Sequence, residues 1–453
     1  MGQYEDRERL ADLFAKEVST YVSTHPNSQK AHQKSQASLV NGVPMLWMAK
    51  WPGPFPIYVE SGKGAHFTDL DGNDFTDFCL GDTGAMSGHA SAPTVKAVQD
   101  QIAKGATFML PTLDAARNAE TLGARFGLPK WQFTLSATDA NRHLIRFARQ
   151  VTGRAKIAVH DYCYHGSVDE TFAVLDDHGN TISRPNNIGK PSELNTTTVS
   201  LPFNDLVAAE MAFATGEVAL LLIEPGLTNI GIVLPEAGYL EGLQALCLKY
   251  DVIFALDETH TLSAGAGGIT ARDNLKPDAV VLGKTIGGGV PVGALGFSEE
   301  LSEKIANSLE LESIDVGGVG GTLAGNALSM AAVRATLEEV LTPDNFSRME
   351  QLAVTWQANI QATIGEYELP WQVSRIGCRG EYSFRETAPT TGAEAAAAED
   401  FELGQFLQLH AINRGILMTP FHNMVLVSPD TSAADIEKHH GHFRDAVSLL
   451  FAK

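Results

Sequence analysis

Three apolar runs in the middle of the chain, each closed by charged residues, restrict its fold more than any other feature. "VALLLIEP" runs to Glu224, "DVIFALDE" ends at Asp257 and Glu258, and "AVVLGK" ends at Lys284. All three are nearly continuous in Val, Leu, Ile and Ala, the pattern of strands covered on both faces by helices. Between the first two lies "GYLEGLQALCLKY", where Tyr239, Leu243, Leu246 and Tyr250 mark one helical face. Strands alternating with helices predict an α/β fold with a parallel sheet and right-handed crossovers. Ligands of such sheets sit outside the carboxyl ends of the strands, so Glu224, Asp257 and Lys284 are expected along one rim.

A lysine at the end of a core strand needs an explanation. A buried ammonium is costly unless paired, and burial favours the neutral amine, which is a nucleophile and a base. Lys284 is therefore either a structural ion-pair partner or a Schiff-base lysine. Asp257 on the same rim admits both readings. It can pair with Lys284 directly, or it can hold the ring nitrogen of an aromatic cofactor protonated while Lys284 makes the covalent link, the division of labour that pyridoxal phosphate requires. A cofactor phosphate would also need a cradle. "WQFTLSATDANRHLIRFARQ" offers a strand over Gln132 to Leu135, then Ser136, Ala137 and Thr138, then a helix from near Asp139. Small and hydroxyl residues at a helix start present free N–H groups and a favourable dipole to a phosphate, although a plain capping Ser or Thr has the same appearance. Further on, "HDYCYHGSVDE" places Tyr164 and His165 after the strand "AKIAV"; Tyr164 can stack on a ring or serve as a core tyrosine.

Charge and composition narrow the partners. The 453 residues carry a formal net charge of -21, which argues against nucleic acid and anionic membranes. Phosphate must then be bound locally, by backbone N–H groups. No apolar run approaches the roughly 20 residues that span a bilayer, and the charged start has no signal-like apolar core, so a cytoplasmic protein is expected. Cys79, Cys163, Cys247 and Cys378 lie far apart, without metal spacing, as reduced thiols would.

Eight stretches run in family order over nearly the whole chain: "TDLDGNDFTDF", "GHASAPTV", "SATDAN", "YHG", "EPGLTNIGIVLP", "DETHT", "LGKTIGGGVPVGALGF" and "GGTLAGNALSMAA". With them the chain resembles the class III aminotransferases of pyridoxal-phosphate fold type I, most closely the branch holding glutamate-1-semialdehyde aminomutase and β-amino-acid aminotransferases. The resemblance implies a large domain built on a mostly parallel seven-stranded-type sheet, a smaller α/β domain, and a homodimer with shared active sites. It makes Lys284 the residue that links covalently to pyridoxal 5'-phosphate and moves the proton, and Asp257 the partner of the ring nitrogen. Tyr164 would stack on the ring, Ser136, Ala137 and Thr138 would cradle the phosphate, and Thr322 would reach the phosphate of the neighbouring subunit. His165, Glu224 and Thr259 complete the expected cofactor set. The reaction implied is ping-pong transamination between an amine or amino acid and a keto acid; an aminomutase or racemase would share every cofactor residue, and a non-catalytic cofactor-binding protein is a third reading.

Departures from the family pattern bear on the substrate. Ala137 and Asp139 stand where the family's phosphate loop reads Gly and Glu, and Thr259 and His260 follow the Asp-Glu pair where valine is usual in the first place. His260 can touch the cofactor or be a loop histidine satisfied by its surroundings, and the second reading is favoured. Aminomutase-like relatives carry an early arginine for the substrate carboxylate, where this chain has "VNGVPMLWMAKW"; the gated arginine of other aminotransferases is also missing, with Asn229 at the gate position. Either Arg379 or Arg385 meets the substrate carboxylate, the favoured reading, or the amino donor carries no carboxylate in that position, while Trp47 and its apolar neighbours leave room for a bulky or aromatic substituent. Thr83 in "FCLGDTGAM" is expected to line the site.

The expected organisation is residues 1–65 joining the small domain, 66–335 as the cofactor domain and 336–453 as the C-terminal small domain. Residues 174–197 read as a loop without periodicity, "TGAEAAAAEDFELGQFLQLH" as one helix starting at Thr391, and "KHHGHFRD" as a solvated helix face.

Overall fold

The computed structural model describes residues 4, 6–190, 193–310, 313–420 and 422–451. The chain divides into two compact units, one of Met1–Ser91, Ser347–Ala388 and Ala398–Lys453, the other of Ala92–Phe346 and Pro389–Ala397. The boundaries thus fall at residues 91 and 346, where 65 and 335 were expected. The early shift has a simple origin: strand Asp74–Asp77 pairs in parallel with Ile416–Leu417, so everything up to that strand belongs with the C-terminal part. No helix among the described residues is long and apolar enough to cross a membrane.

The second unit is built on a seven-stranded sheet in the spatial order Lys130–Thr134, Gly293–Phe297, Ala279–Leu282, Ile253–Asp257, Val218–Ile223, Lys156–His160, Thr198–Leu201. Gly293–Phe297 is antiparallel to both of its neighbours, and the remaining pairs are parallel. All six side chains of Val218–Ile223 are buried, as are all those of Ile253–Asp257 and Ala279–Leu282. Each large aliphatic side chain so buried contributes roughly 1.5–3 kcal/mol, which fixes these runs in the sheet centre and leaves the charged residues after them at its rim. Helix Ala137–Thr152 packs across the sheet through Ala140, Leu144, Ile145 and Ala148. Helix Tyr239–Tyr250 buries Tyr239, Leu240, Leu243 and Cys247, a face rotated from the one expected; Leu246 and Tyr250 lie half-buried at its edge.

The stretch 174–197 is more ordered than its composition suggested, leaving aside Pro191 and Ser192, which lie outside the described residues. Ala173–Leu175 and Thr181–Ser183 form an antiparallel hairpin. Its turn is held by Asp176, whose Oδ1 accepts from the N–H groups of His178 (2.9 Å) and Asn180 (2.8 Å), a side-chain-to-backbone turn that needs no apolar pattern.

The first unit contains a four-stranded sheet (Val59–Lys63, His66–Asp69, Asp74–Asp77, Ile416–Leu417) and a three-stranded one (Gln372–Ile376, Arg379–Ser383, Met424–Leu426). Tyr21, Phe55, Phe67, Phe75, Leu409 and Ile412 form one of its core clusters. The expected single helix after Thr391 is two: Gly392–Ala396, capped by Thr391, and Phe401–Ile412, capped by Asp400, whose Oδ1 accepts from Leu403 N at 3.2 Å. A second capping side chain inside the stretch starts a new helix.

Candidate active site

Asp257 ends the central strand with its carboxylate 4% exposed. Its Oδ2 accepts from His165 Nδ1 and Asn141 Nδ2, both at 2.9 Å, and its Oδ1 from Thr259 N at 3.1 Å. Burial alone would raise the carboxyl pKa, but His165 and these hydrogen bonds outweigh it, and the group is held below the ordinary carboxylate value. The same pairing works on His165. Burial opposes its charge, yet Cys163 and Asp257 outweigh burial and raise its pKa well above the ordinary value. A buried carboxylate kept ionised is suited to pairing with a protonated ring nitrogen.

Glu258, next in sequence, has a different task. Its Oε1 accepts from Thr270 N (2.6 Å) and Thr270 Oγ1 (2.7 Å), and its Oε2 from Ile269 N (3.1 Å), all at the start of helix Gly268–Arg272. Alternation along an extended backbone sends the two adjacent carboxylates apart, one to the site and one to structure.

Lys284 follows strand Ala279–Leu282 at φ 51°, a left-handed conformation that costs a residue with a Cβ on the order of 1 kcal/mol or more and marks functional positions often enough to be informative. Its Nζ lies 2.5 Å from His260 Nε2, and the other imidazole nitrogen lies 2.8 Å from Thr228 Oγ1. Thr228 Oγ1 donates to Glu224 Oε2 at 2.6 Å. Glu224, also buried, accepts in addition from Tyr164 N (3.0 Å) and Asn229 Nδ2 (3.2 Å). His260 is hydrogen-bonded on both ring nitrogens, and one of its partners is Lys284 itself.

Ser136 caps helix Ala137–Thr152, its Oγ accepting from Asp139 N at 3.2 Å and donating to Asp139 Oδ2 at 3.0 Å. The helix starts two residues earlier than expected, so Ala137 and Thr138 occupy its first turn, where backbone N–H groups have no acceptor within the helix. Two glycines let the neighbouring loops close on this turn. A Cβ on Gly166 (φ 79°) would lie 2.0 Å from Thr138 Oγ1, and one on Gly283 would lie 2.8 Å from the Ala137 methyl and 3.0 Å from its N. Gly283 thus makes room for the methyl of Ala137 where a glycine was usual. Gly166 follows His165 and Gly283 precedes Lys284, so the first helical turn, the Asp257 pair and the lysine form one connected site. Tyr164 is half-buried with its ring edge toward Phe172, centroids 6.3 Å apart. Thr259 is buried, and its side chain adds to the hydrogen bonds that lower the Asp257 pKa. The first-turn N–H groups of Ala137 and Thr138, which have no acceptor within the helix, and the ionised Asp257 fit a phosphorylated aromatic cofactor. Thr322 is exposed in the segment that follows Gly320, whose N–H donates to His143 Nε2 at 3.1 Å.

The remaining expected residues belong to the first unit. Arg379 is 1% exposed, its Nη2 donating to Thr83 Oγ1 at 2.9 Å and lying 3.5 Å from Asp82 Oδ1. Leu80, Gly81, Asp82 and Thr83 all have positive φ, and at the β-branched Thr83 (φ 80°) this is a genuine outlier. Arg385 lies beyond its strand, with Nη2 3.3 Å from Thr387 Oγ1. Trp47 sits in the short helix Leu46–Ala49, 41% exposed beside Met45 and Met48. Asn141 and Thr228 were missed. Asn141 was detectable as the polar residue on the apolar stripe Ala140, Leu144, Ile145, Ala148, whereas nothing local marks Thr228.

Fold and site together define a pyridoxal-phosphate-dependent enzyme of fold type I. A model of the aminotransferase class-III family matches residues 47–446, and the chain belongs to that family. It is 33% identical over 417 residues to a glutamate-1-semialdehyde 2,1-aminomutase of Anaeromyxobacter sp. (strain Fw109-5), covering 91% of this chain and 95% of the relative. Among solved structures, a glutamate-1-semialdehyde-aminomutase from Pseudomonas aeruginosa PAO1 superposes with a TM-score of 0.97 at 43% identity, covering 99% of this chain and 100% of that one; a lysine-to-alanine variant of the same enzyme has been solved in complex with PMP. An omega-transaminase from Sphaerobacter thermophilus superposes with a TM-score of 0.84 at 28% identity, covering 93% and 97% of the two chains.

Proposed function

We propose that the protein is an aminotransferase, moving an amino group from an amine or amino acid, with β-amino and bulky or aromatic donors as the first candidates, to a keto acid. The observation that carries this reading is Asp257, held ionised by His165 and Asn141, on the strand beside the one that delivers Lys284. Pyridoxal phosphate, when bound, supplies an aldehyde that condenses with amines and a ring that accepts the electrons released when a Cα–H bond breaks. Asp257 would keep the ring nitrogen protonated, and Lys284 would hold the cofactor and carry the proton between carbon centres. The first-turn N–H groups of Ala137 and Thr138, with Ser136, would bind the phosphate, and Tyr164 would flank the ring. Arg379, Arg385, Thr83 and Trp47 are the proposed substrate residues.

An intramolecular aminomutase is the second reading, favoured by the 43% identity to the Pseudomonas enzyme. One experiment separates the two. Cofactor-loaded protein is mixed with single amines and amino acids, then with keto acids, while its visible absorption is followed. Transamination is expected to bleach the band with a donor and restore it with an acceptor; an aminomutase substrate turns over alone. A protein that takes up no cofactor would sink both readings.

The site is proposed to be completed in a homodimer, with Thr322 reaching across. Support comes from its exposure and from Phe108, Met109, Leu110 and Leu113, which are 51–81% exposed in the same unit. Sedimentation should return twice the chain mass of 48.6 kDa; a monomer with full activity would refute it.

A further inference from the structure

We propose that His260 is a proton-accepting catalytic residue for Lys284, its imidazole held in one tautomer by Thr228 and Glu224. The inference rests on the reading that Lys284 makes the covalent link, and it goes beyond it by assigning the group that readies the amine.

The polarity of the hydrogen bonds carries the argument. Glu224 receives three donors, from Tyr164 N, Thr228 Oγ1 and Asn229 Nδ2. Three donors on one carboxyl leave it in the role of acceptor, even though burial raises its pKa against the opposing pull of His165, the Thr228 hydroxyl and the Tyr164 N–H. A hydroxyl has one proton. Thr228 commits it to Glu224, so its Oγ1 can only accept from His260 Nδ1 at 2.8 Å. The neutral imidazole then carries its proton on Nδ1, and the lone pair of Nε2 faces Lys284 Nζ. The other titratable groups that act on Glu224 are His165 and Asp257, which are already paired with each other.

The step balances without a further reactant. A proton passes from the Lys284 ammonium to His260 Nε2, freeing the Nζ lone pair for attack on a carbonyl carbon. The imidazolium keeps its Nδ1 proton on Thr228, with the Glu224 charge behind it to offset the positive charge. The Nε2 proton returns to Nζ when the lysine is released.

The test is the rate at which cofactor-free protein captures pyridoxal phosphate, followed by its visible band across pH. Wild type is compared with His260→Phe, His260→Gln, Thr228→Val and Thr228→Ser, with Lys284→Ala as the baseline. Capture near neutrality is expected to slow on the order of a hundredfold in His260→Phe and His260→Gln, the loss of a positioned proton-transfer group. Thr228→Val, which keeps the shape and loses the hydroxyl, should move part of the way, and Thr228→Ser should restore the wild-type profile. A lower final loading with an unchanged capture rate across pH in both His260 variants and in Thr228→Val would overturn the proposal, because a structural role changes how much protein loads and leaves the proton step alone. If wild type forms no band beyond that of Lys284→Ala, the parent reading of Lys284 falls, and this proposal with it.

Discussion

Asp257→Asn is expected to lower kcat by about a thousandfold. About 4 kcal/mol withheld from the transition state is close to three powers of ten in rate. The loss has two physical parts. An amide carries no charge to keep a ring nitrogen protonated. It also brings an NH2 group into a place where His165 Nδ1, Asn141 Nδ2 and Thr259 N all donate, so at least one donor would face another. Substrate binding makes no use of this carboxylate, so KM should change much less than kcat, a pattern that steady-state kinetics with the best donor would read directly. A loss below tenfold would mean that Asp257 does not hold the ring nitrogen. His165→Asn should act in the same direction and more weakly, since His165 works only through Asp257.

The sheet and its rim were legible because their cause is local. Val218–Ile223, Ile253–Asp257 and Ala279–Leu282 are unbroken apolar runs, and a run buried on both faces has no other stable home than a sheet interior. Glu224, Asp257 and Lys284 followed from where those runs stop. What Glu224 and His260 do was not legible. Their roles depend on Thr228, four residues after one and 32 before the other, on a loop whose path no periodicity records. The hairpin Ala173–Leu175 with Thr181–Ser183 escaped for the opposite reason: its information sits in one turn residue, Asp176, inside a polar stretch. The histidines of "KHHGHFRD" were misread although the signal was present. His439 and His442 fall on the stripe of Ile436, Phe443, Ala446, Val447 and Leu450 in helix Ala433–Phe451, and both are buried with it.

Those histidines should make the protein acid-labile. His410 Nδ1 lies 2.8 Å from His442 Nδ1, and Trp356 Nε1 donates to His439 Nδ1 at 3.2 Å. Burial, with a smaller push from Arg414, lowers the His410 pKa to about 3; burial lowers that of His439 to about 3 as well, with His440 adding to it. His442 is pushed well below the ordinary value by burial and by His410, His439 and Arg414. A depressed pKa in the folded state means that the unfolded chain takes up protons first. Stability therefore falls as pH drops below the unfolded value near 6.5 and keeps falling toward 3. Between pH 7 and 5 the cost is about 2 kcal/mol per histidine, a large share of the roughly 5–15 kcal/mol that holds a folded protein together. His165 and His422, whose pKa values are raised, titrate with the opposite sign. Their gain is complete once pH has fallen below the unfolded value, so they leave the slope between 6 and 5 unaffected. His160, with a pKa lowered to about 3 by burial and by His165, adds to that slope from the other unit, and a substitution is needed to apportion it. Replacing His410 and His442 together with leucine removes both polar groups at once, which a buried pair tolerates far better than losing one. Urea unfolding followed by tryptophan fluorescence at pH 7, 6 and 5 should show a steep loss of stability in wild type and a visibly flatter one in the double variant; equal slopes would show that the pair does not stay neutral in the folded protein.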